Sequence, residues 1–168
     1  MAGKRDDSAR TAEPNELLIT RVLNAPRTLV WKAFSDPEHF KRWWGPKTFT
    51  CPACTLDFRI GGKYLACMRS PEGKDYWSTG VYREIVPIEK IVFTDCFSDE
   101  QGNVVPASHY AMPGDNWPLE MLVTITFEDM GNKTKMILRH VGHPGGKMGE
   151  MALTGWNESL DKLEHSLK

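Results

Sequence analysis

Few residues in this chain have the type and spacing to do chemistry. Cys51-Pro-Ala-Cys54 is a C-x-x-C pair, the spacing of redox dithiols and of half a zinc site. A redox pair places its first cysteine at a helix N-terminus, where the dipole lowers the thiol pKa. Here "TLDFR" after Cys54 reads as a strand. Structural zinc takes four ligands, whereas Cys67, Cys96, His109, His140 and His143 are spread over separate predicted strands and loops. Residues three apart in an extended segment have α-carbons about 10 Å apart, beyond disulfide reach unless the chain turns. The pair therefore reads as strand entry, with Cys54 packing as a small hydrophobe, and no metal or cofactor is expected. Two histidines are candidates for a general base beside a carboxylate: His140, which alternates with Met136 and Leu138, and His109 in a loop. A satisfied core or rim histidine is the commoner role. No nucleophile elbow, phosphate-cradling glycine loop or H-E-x-x-H is present, and no catalytic residue is assigned.

The aromatic residues suggest binding rather than bond-making. Trp43-Trp44-Gly45-Pro46 reads as a hydrophobic plug or as part of a cavity wall, with Trp44 favoured for the wall. The loop Ser108 to Pro118, "SHYAMPGDNWP", carries Tyr110, Met112 and Trp117, large apolar groups that read equally as a lid or as a staple on the sheet edge. Gly145-Gly146 before the last helix reads as cap or hinge.

These groups need elements to hold them. "MAGKRDDSARTAEP", residues 1–14, is polar and aperiodic, and a disordered tail is expected. Leu17 to Leu23 reads as a strand. Pro26 to Phe34 reads as a short helix capped by Asn24 or Ala25, and a second starts at Asp36-Pro37 and stops at Gly45-Pro46. The period then becomes two, with strands expected over Thr55–Ile60 and Lys63–Met68 around Gly61-Gly62, then Tyr76–Val86, Ile91–Phe97, Leu119–Phe127 and Thr134–Val141. Met148, Ala152, Trp156, Leu160, Leu163 and Leu167 form one apolar stripe of a final helix, with Glu158, Asp161, Lys162 and Glu164 outside. An antiparallel sheet must cover its inner face, and the long last helix is the element available to do it.

Composition excludes several classes. The 168 residues carry 21 basic and 22 acidic side chains, so no basic excess points to nucleic acid. No apolar run reaches the length of a membrane span and no N-terminal apolar segment is present, so a cytoplasmic protein with reduced cysteines is expected.

"APRTLVWKAFSDPEHFKRWWGP" resembles the opening of the SRPBCC (START-like) superfamily. "DFRIGGKY", "GVYREIVPIEKIVFTD", "PLEMLVTITFED" and "GWNESLDKLEHSL" resemble the branch named after the homologue of the activator of the 90-kDa heat-shock protein ATPase. The match runs from about Ile19 to Leu167. It implies an α+β helix-grip fold: a curved antiparallel β-sheet wrapped around a long C-terminal helix, with two short helices after the first strand. The resemblance makes residues 15–168 a single domain, without the large N-terminal domain of such co-chaperones. Its members include lipid carriers, hormone receptors and polyketide aromatase and cyclase subunits. The expected function is binding of a small apolar or amphipathic molecule under the last helix, by Trp44, Phe58, Tyr82, Phe93, Met121, Val123 and Trp156, with Tyr110 as lid. The alternatives are a chaperone-binding interaction module, a homodimer through a sheet edge, or a cyclase- or hydrolase-like enzyme using His109 or His140.

Overall fold

A computed structural model describes residues 7–13, 16–112, 117–142, 144 and 147–168. His143, Gly145 and Gly146, with residues 1–6, 14, 15 and 113–116, lie outside the described residues. The chain runs β1 (Ser8–Glu13), β2 (Glu16–Leu23), α1 (Arg27–Ser35), α2 (Pro37–Phe40), β3 (Cys54–Leu56), β4 (Lys63–Arg69), β5 (Asp75–Val86), β6 (Lys90–Ser98), a 3-10 turn (Ala107–Tyr110), β7 (Met121–Met130), β8 (Lys133–Val141) and α3 (Lys147–Ser166). All eight strands form one antiparallel sheet in the order β1-β2-β8-β7-β6-β5-β4-β3. This is the expected α+β helix-grip architecture, a curved sheet around a long C-terminal helix.

Alternation decides which side chains face the helix. Leu17, Ile19, Arg21 and Leu23 of β2, Met121 to Phe127 of β7 at every second position, and Thr134, Met136, Leu138 and His140 of β8 are buried. Each large apolar group hidden this way contributes about 1.5–3 kcal/mol. Leu119, expected in β7, precedes that strand and is exposed. At the β3–β4 turn, Gly61 has φ +85°, and a Cβ on Gly62 would lie 2.0 Å from the Asp57 carbonyl oxygen, so glycine is required at both. The turn takes up residues expected in the strand, and β3 is correspondingly short.

Ser8–Glu13, assigned by composition to a disordered tail, forms β1, paired antiparallel with β2 from Ser8↔Thr20 to Glu13↔Glu16. The edge of β2 left open by β8 offers unpaired backbone groups, and pairing them outweighs the polar composition of the segment. At α1 the N-cap is Pro26 with no side-chain bond, rather than Asn24 or Ala25. At α2 the Asp36 side chain accepts from the Glu38 N–H at 3.2 Å and Pro37 opens the helix, as its sequence suggests.

α3 is strapped to the sheet by polar contacts as well as packing. Arg21, buried among apolar neighbours, reaches Asp161 at 2.8 Å and donates to the Asn157 carbonyl oxygen at 3.1 Å. Lys162, expected on the outer face, turns inward instead and donates to the carbonyl oxygens of Pro46 and Phe49 at 3.1 and 3.0 Å. Burial lowers its pKa. Lys162→Met keeps the aliphatic stem but takes the lysine donor from the Phe49 carbonyl, while the Pro46 carbonyl keeps the Phe49 N–H, and a loss of about 1–3 kcal/mol is expected in urea denaturation.

Candidate functional site

Between the first half of α3 and one end of the sheet lies a cavity of about 270 Å³. Met148, Met151, Ala152, Gly155, Trp156 and Ser159 of α3 form one wall. Ser78 of β5, Asp95, Cys96 and Phe97 of β6, Met121 of β7 and His140 of β8 form the opposite wall. Trp44, Pro46, Met68, Met112 and Trp117 complete the lining. The helix supplies this wall because Met148, Ala152 and Trp156 repeat every four residues and so share one face.

A chain of polar contacts joins the two walls. The Trp156 indole N–H donates to His140 Nδ1 at 2.9 Å. An indole nitrogen only donates, so Nδ1 presents its lone pair and the neutral ring carries its proton on Nε2. That nitrogen faces Asp95 Oδ2 at 3.5 Å. The Tyr64 hydroxyl donates to the other carboxyl oxygen at 3.0 Å. Burial raises the Asp95 pKa to about 6, opposed by the Tyr64 hydrogen bond. Burial, with Asp95 beside it, pushes the Tyr64 hydroxyl well up.

This geometry limits the chemistry. His140 has one lone pair, and Trp156 occupies it, so the ring as held is a relay between indole and carboxylate, not a free base. His109 is exposed in the 3-10 turn against the Tyr110 ring and does not line the cavity. The side-chain atoms Trp44 Nε1 and Ser78 Oγ are buried without a hydrogen-bond partner among the described residues. No three His, Cys, Asp or Glu side chains among the described residues are placed to hold a metal ion.

Residues 24–168 match the family described as Activator of Hsp90 ATPase homolog 1-like protein. The chain belongs to this family. Several proteins of known structure share the fold over most of the chain. A protein from Chromobacterium violaceum is 30% identical, with 92% of this chain and 98% of that chain covered and a TM-score of 0.75. One from Arthrobacter aurescens is 26% identical, with 95% and 90% covered and a TM-score of 0.76. The AHSA1 protein from Silicibacter pomeroyi is 26% identical, with 90% and 96% covered and a TM-score of 0.68. No curated protein matches the chain. No helix among the described residues is long and apolar enough to cross a membrane.

In this activator-homologue-like chain the cavity occupies only part of the space under α3. Of the eight residues expected to bind a ligand, Trp44, Met121 and Trp156 line it. Phe58, Tyr82, Phe93 and Val123 do not. They belong to the packed half of the interior, where Phe58 meets Tyr82 at 5.0 Å and Trp31 at 5.6 Å, and Val123 is fully buried. The void left beside Tyr82 and Phe93 is about 10 Å³, at or below the size needed for one water. α1 and α2 cause this, because they drive Phe34, Phe40 and Trp43 into the same layer. Trp43 is pinned by its N–H to the Ala33 carbonyl oxygen at 2.8 Å, which leaves the cavity wall to Trp44.

The long loop divides its roles. The Tyr110 hydroxyl donates to the Ser98 carbonyl oxygen and accepts from the Trp77 N–H at 3.1 Å, so Tyr110 staples the loop to the ends of β5 and β6. Met112 and Trp117 of the same loop reach the lining. Asp95 escaped the sequence reading, although Ile91, Phe93, Asp95 and Phe97 alternate, and an acid in that series must face inward.

Cys54 opens β3 and packs against the core, the strand entry expected of the pair. The Ala53 carbonyl oxygen accepts from the Cys67 N–H at 3.0 Å, and each thiol donates to a carbonyl oxygen at 3.5 Å, Cys51 to Ala53 and Cys54 to Pro37. The neighbouring Cys54 thiol and burial raise Cys51, and the Cys51 thiol with nearby Lys41 lowers Cys54. Burial pushes Cys67 and Cys96 up to about 11. Under native conditions Cys54 is expected to react with iodoacetamide at least about tenfold faster than the other three, as read by peptide mass spectrometry. Equal labelling of all four would contradict the lowered Cys54 thiol.

Proposed function

We propose that this protein binds a small, mainly apolar molecule in the cavity between α3 and the sheet. The observation that carries this reading is the hollow itself. Well-packed interiors leave few voids larger than a water, whereas this one measures about 270 Å³, just below the usual size range of small-molecule sites. Its walls are tryptophan, methionine and phenylalanine, with a small polar cluster at one side. Methionine-rich walls adapt to more than one ligand shape. Burial of the apolar body supplies affinity, and the polar cluster sets orientation.

Two measurements test the proposal. Native mass spectrometry of freshly purified protein, compared with the denatured sample, should reveal any small molecule that leaves on unfolding. Titration with the neutral fluorophore N-phenyl-1-naphthylamine should give saturable one-to-one binding. Ala152→Phe projects a ring from α3 into the hollow and should weaken probe binding by at least about tenfold, a loss of about 1.4 kcal/mol. Absence of saturable probe binding to the folded protein would refute the reading.

A further inference from the structure

The lining has an uneven distribution of charge. Among the described residues of the lining, Asp95 is the one acid and there is no lysine or arginine. The Asp95 side chain retains 17% of its exposure, although its strand neighbours Thr94 and Cys96 are closed in. Its two oxygens meet the Tyr64 hydroxyl at 3.0 Å and His140 Nε2 at 3.5 Å. Both partners are neutral groups: a phenol, and an imidazole whose other nitrogen accepts from Trp156. A carboxylate has about four lone-pair sites, so these contacts leave acceptor capacity to spare. The remaining walls include three indoles, Trp44, Trp117 and Trp156, and the ring of Phe97. Indole and phenyl faces attract cations through their quadrupoles, most strongly where water is excluded. An acid without a cationic partner in the lining, set among aromatic rings, matches a positive group and repels a negative one.

We propose that the ligand is an apolar molecule carrying an ammonium group, held by the Asp95 carboxylate and the tryptophan walls, and that the cavity rejects apolar carboxylates. This rests on the binding reading given above and adds the sign of charge the cavity selects. Asp95 and the aromatic rings are binding residues here, and no bond is made or broken.

The test is a matched series that competes with N-phenyl-1-naphthylamine at about pH 8: 2-naphthylmethylamine, 2-naphthalenemethanol and 2-naphthoate. The amine should bind at least about tenfold tighter than the alcohol and about a hundredfold tighter than the carboxylate. In Asp95→Asn the advantage of amine over alcohol should fall to within about threefold. Trp117→Leu, which leaves the polar cluster in place, should reduce the same advantage by about threefold to tenfold, the range of a cation–π contact. It keeps the proposal testable if Asp95→Asn does not fold. Equal affinities for the three ligands would overturn the charge selection and leave the binding reading intact. Tightest binding of the carboxylate would also overturn it. Failure of the probe and of all three ligands to bind would overturn both.

Discussion

Trp156→Ala is expected to remove about 3–5 kcal/mol of stability, the usual cost of truncating a buried tryptophan. The indole is 9% exposed and packs edge-on against Trp44, with ring centroids 5.8 Å apart at 87°. It is also the donor that occupies His140 Nδ1. Alanine therefore enlarges an existing void and leaves a buried imidazole nitrogen without its donor. Trp156→Phe separates the two effects, since it keeps an aromatic ring and loses only the N–H. An intermediate loss of about 1–2 kcal/mol is expected for it. Urea denaturation of the three proteins measures this. A neutral Trp156→Ala would mean that α3 does not pack on β8 through this contact.

The second large effect is a pH dependence that originates in Asp95. Its folded-state pKa is about 6 against a reference of 3.8, so the folded protein holds this proton more tightly than the unfolded chain. Below the reference value both states are protonated, and burial of the neutral acid costs nothing extra. As pH rises from about 4 to about 6 the unfolded chain releases the proton first, and stability falls. Above about 6 the full penalty is present, about 3 kcal/mol for that separation. Asparagine has no such titration. The stability of Asp95→Asn relative to the native protein should therefore rise by about 3 kcal/mol between about pH 3.5 and about pH 7.5. Denaturant midpoints across that range decide the matter, and parallel profiles would mean that the carboxylate is solvated. An ammonium ligand should reduce the same penalty, because it stabilises the charged form that burial disfavours.

Period-two alternation in β7 and β8 and the four-residue repeat in α3 are local patterns, and each names the face that must be buried. They determined the sheet, the gripping helix and the inward direction of Met121, Met136, His140 and Trp156. Asp36-Pro37 and Gly61-Gly62 likewise placed the start of α2 and the β3–β4 turn, since capping and positive φ are properties of single residues.

What the sequence left open depends on residues distant in the chain. Whether an inward-facing side chain meets a void or another ring is set by what comes from the opposite layer. Tyr82, Phe93 and Val123 face inward as their alternation requires, yet α1 and α2 fill the space in front of them, while the short side chains of Ala152 and Gly155 leave space in front of Asp95 and Phe97. The indole–imidazole–carboxylate–phenol chain spans α3, β8, β6 and β4, and its successive partners lie far apart in the sequence, as with His140 and Asp95. No local spacing encodes it, and only the closure of the sheet around α3 brings those four side chains together. The pairing of β1 with the free edge of β2 and the inward reach of Lys162 to the Pro46 and Phe49 carbonyls have the same origin. In both cases unsatisfied backbone groups elsewhere in the fold decided the outcome, because a buried or edge polar group without a partner costs more than the local preference it overrides.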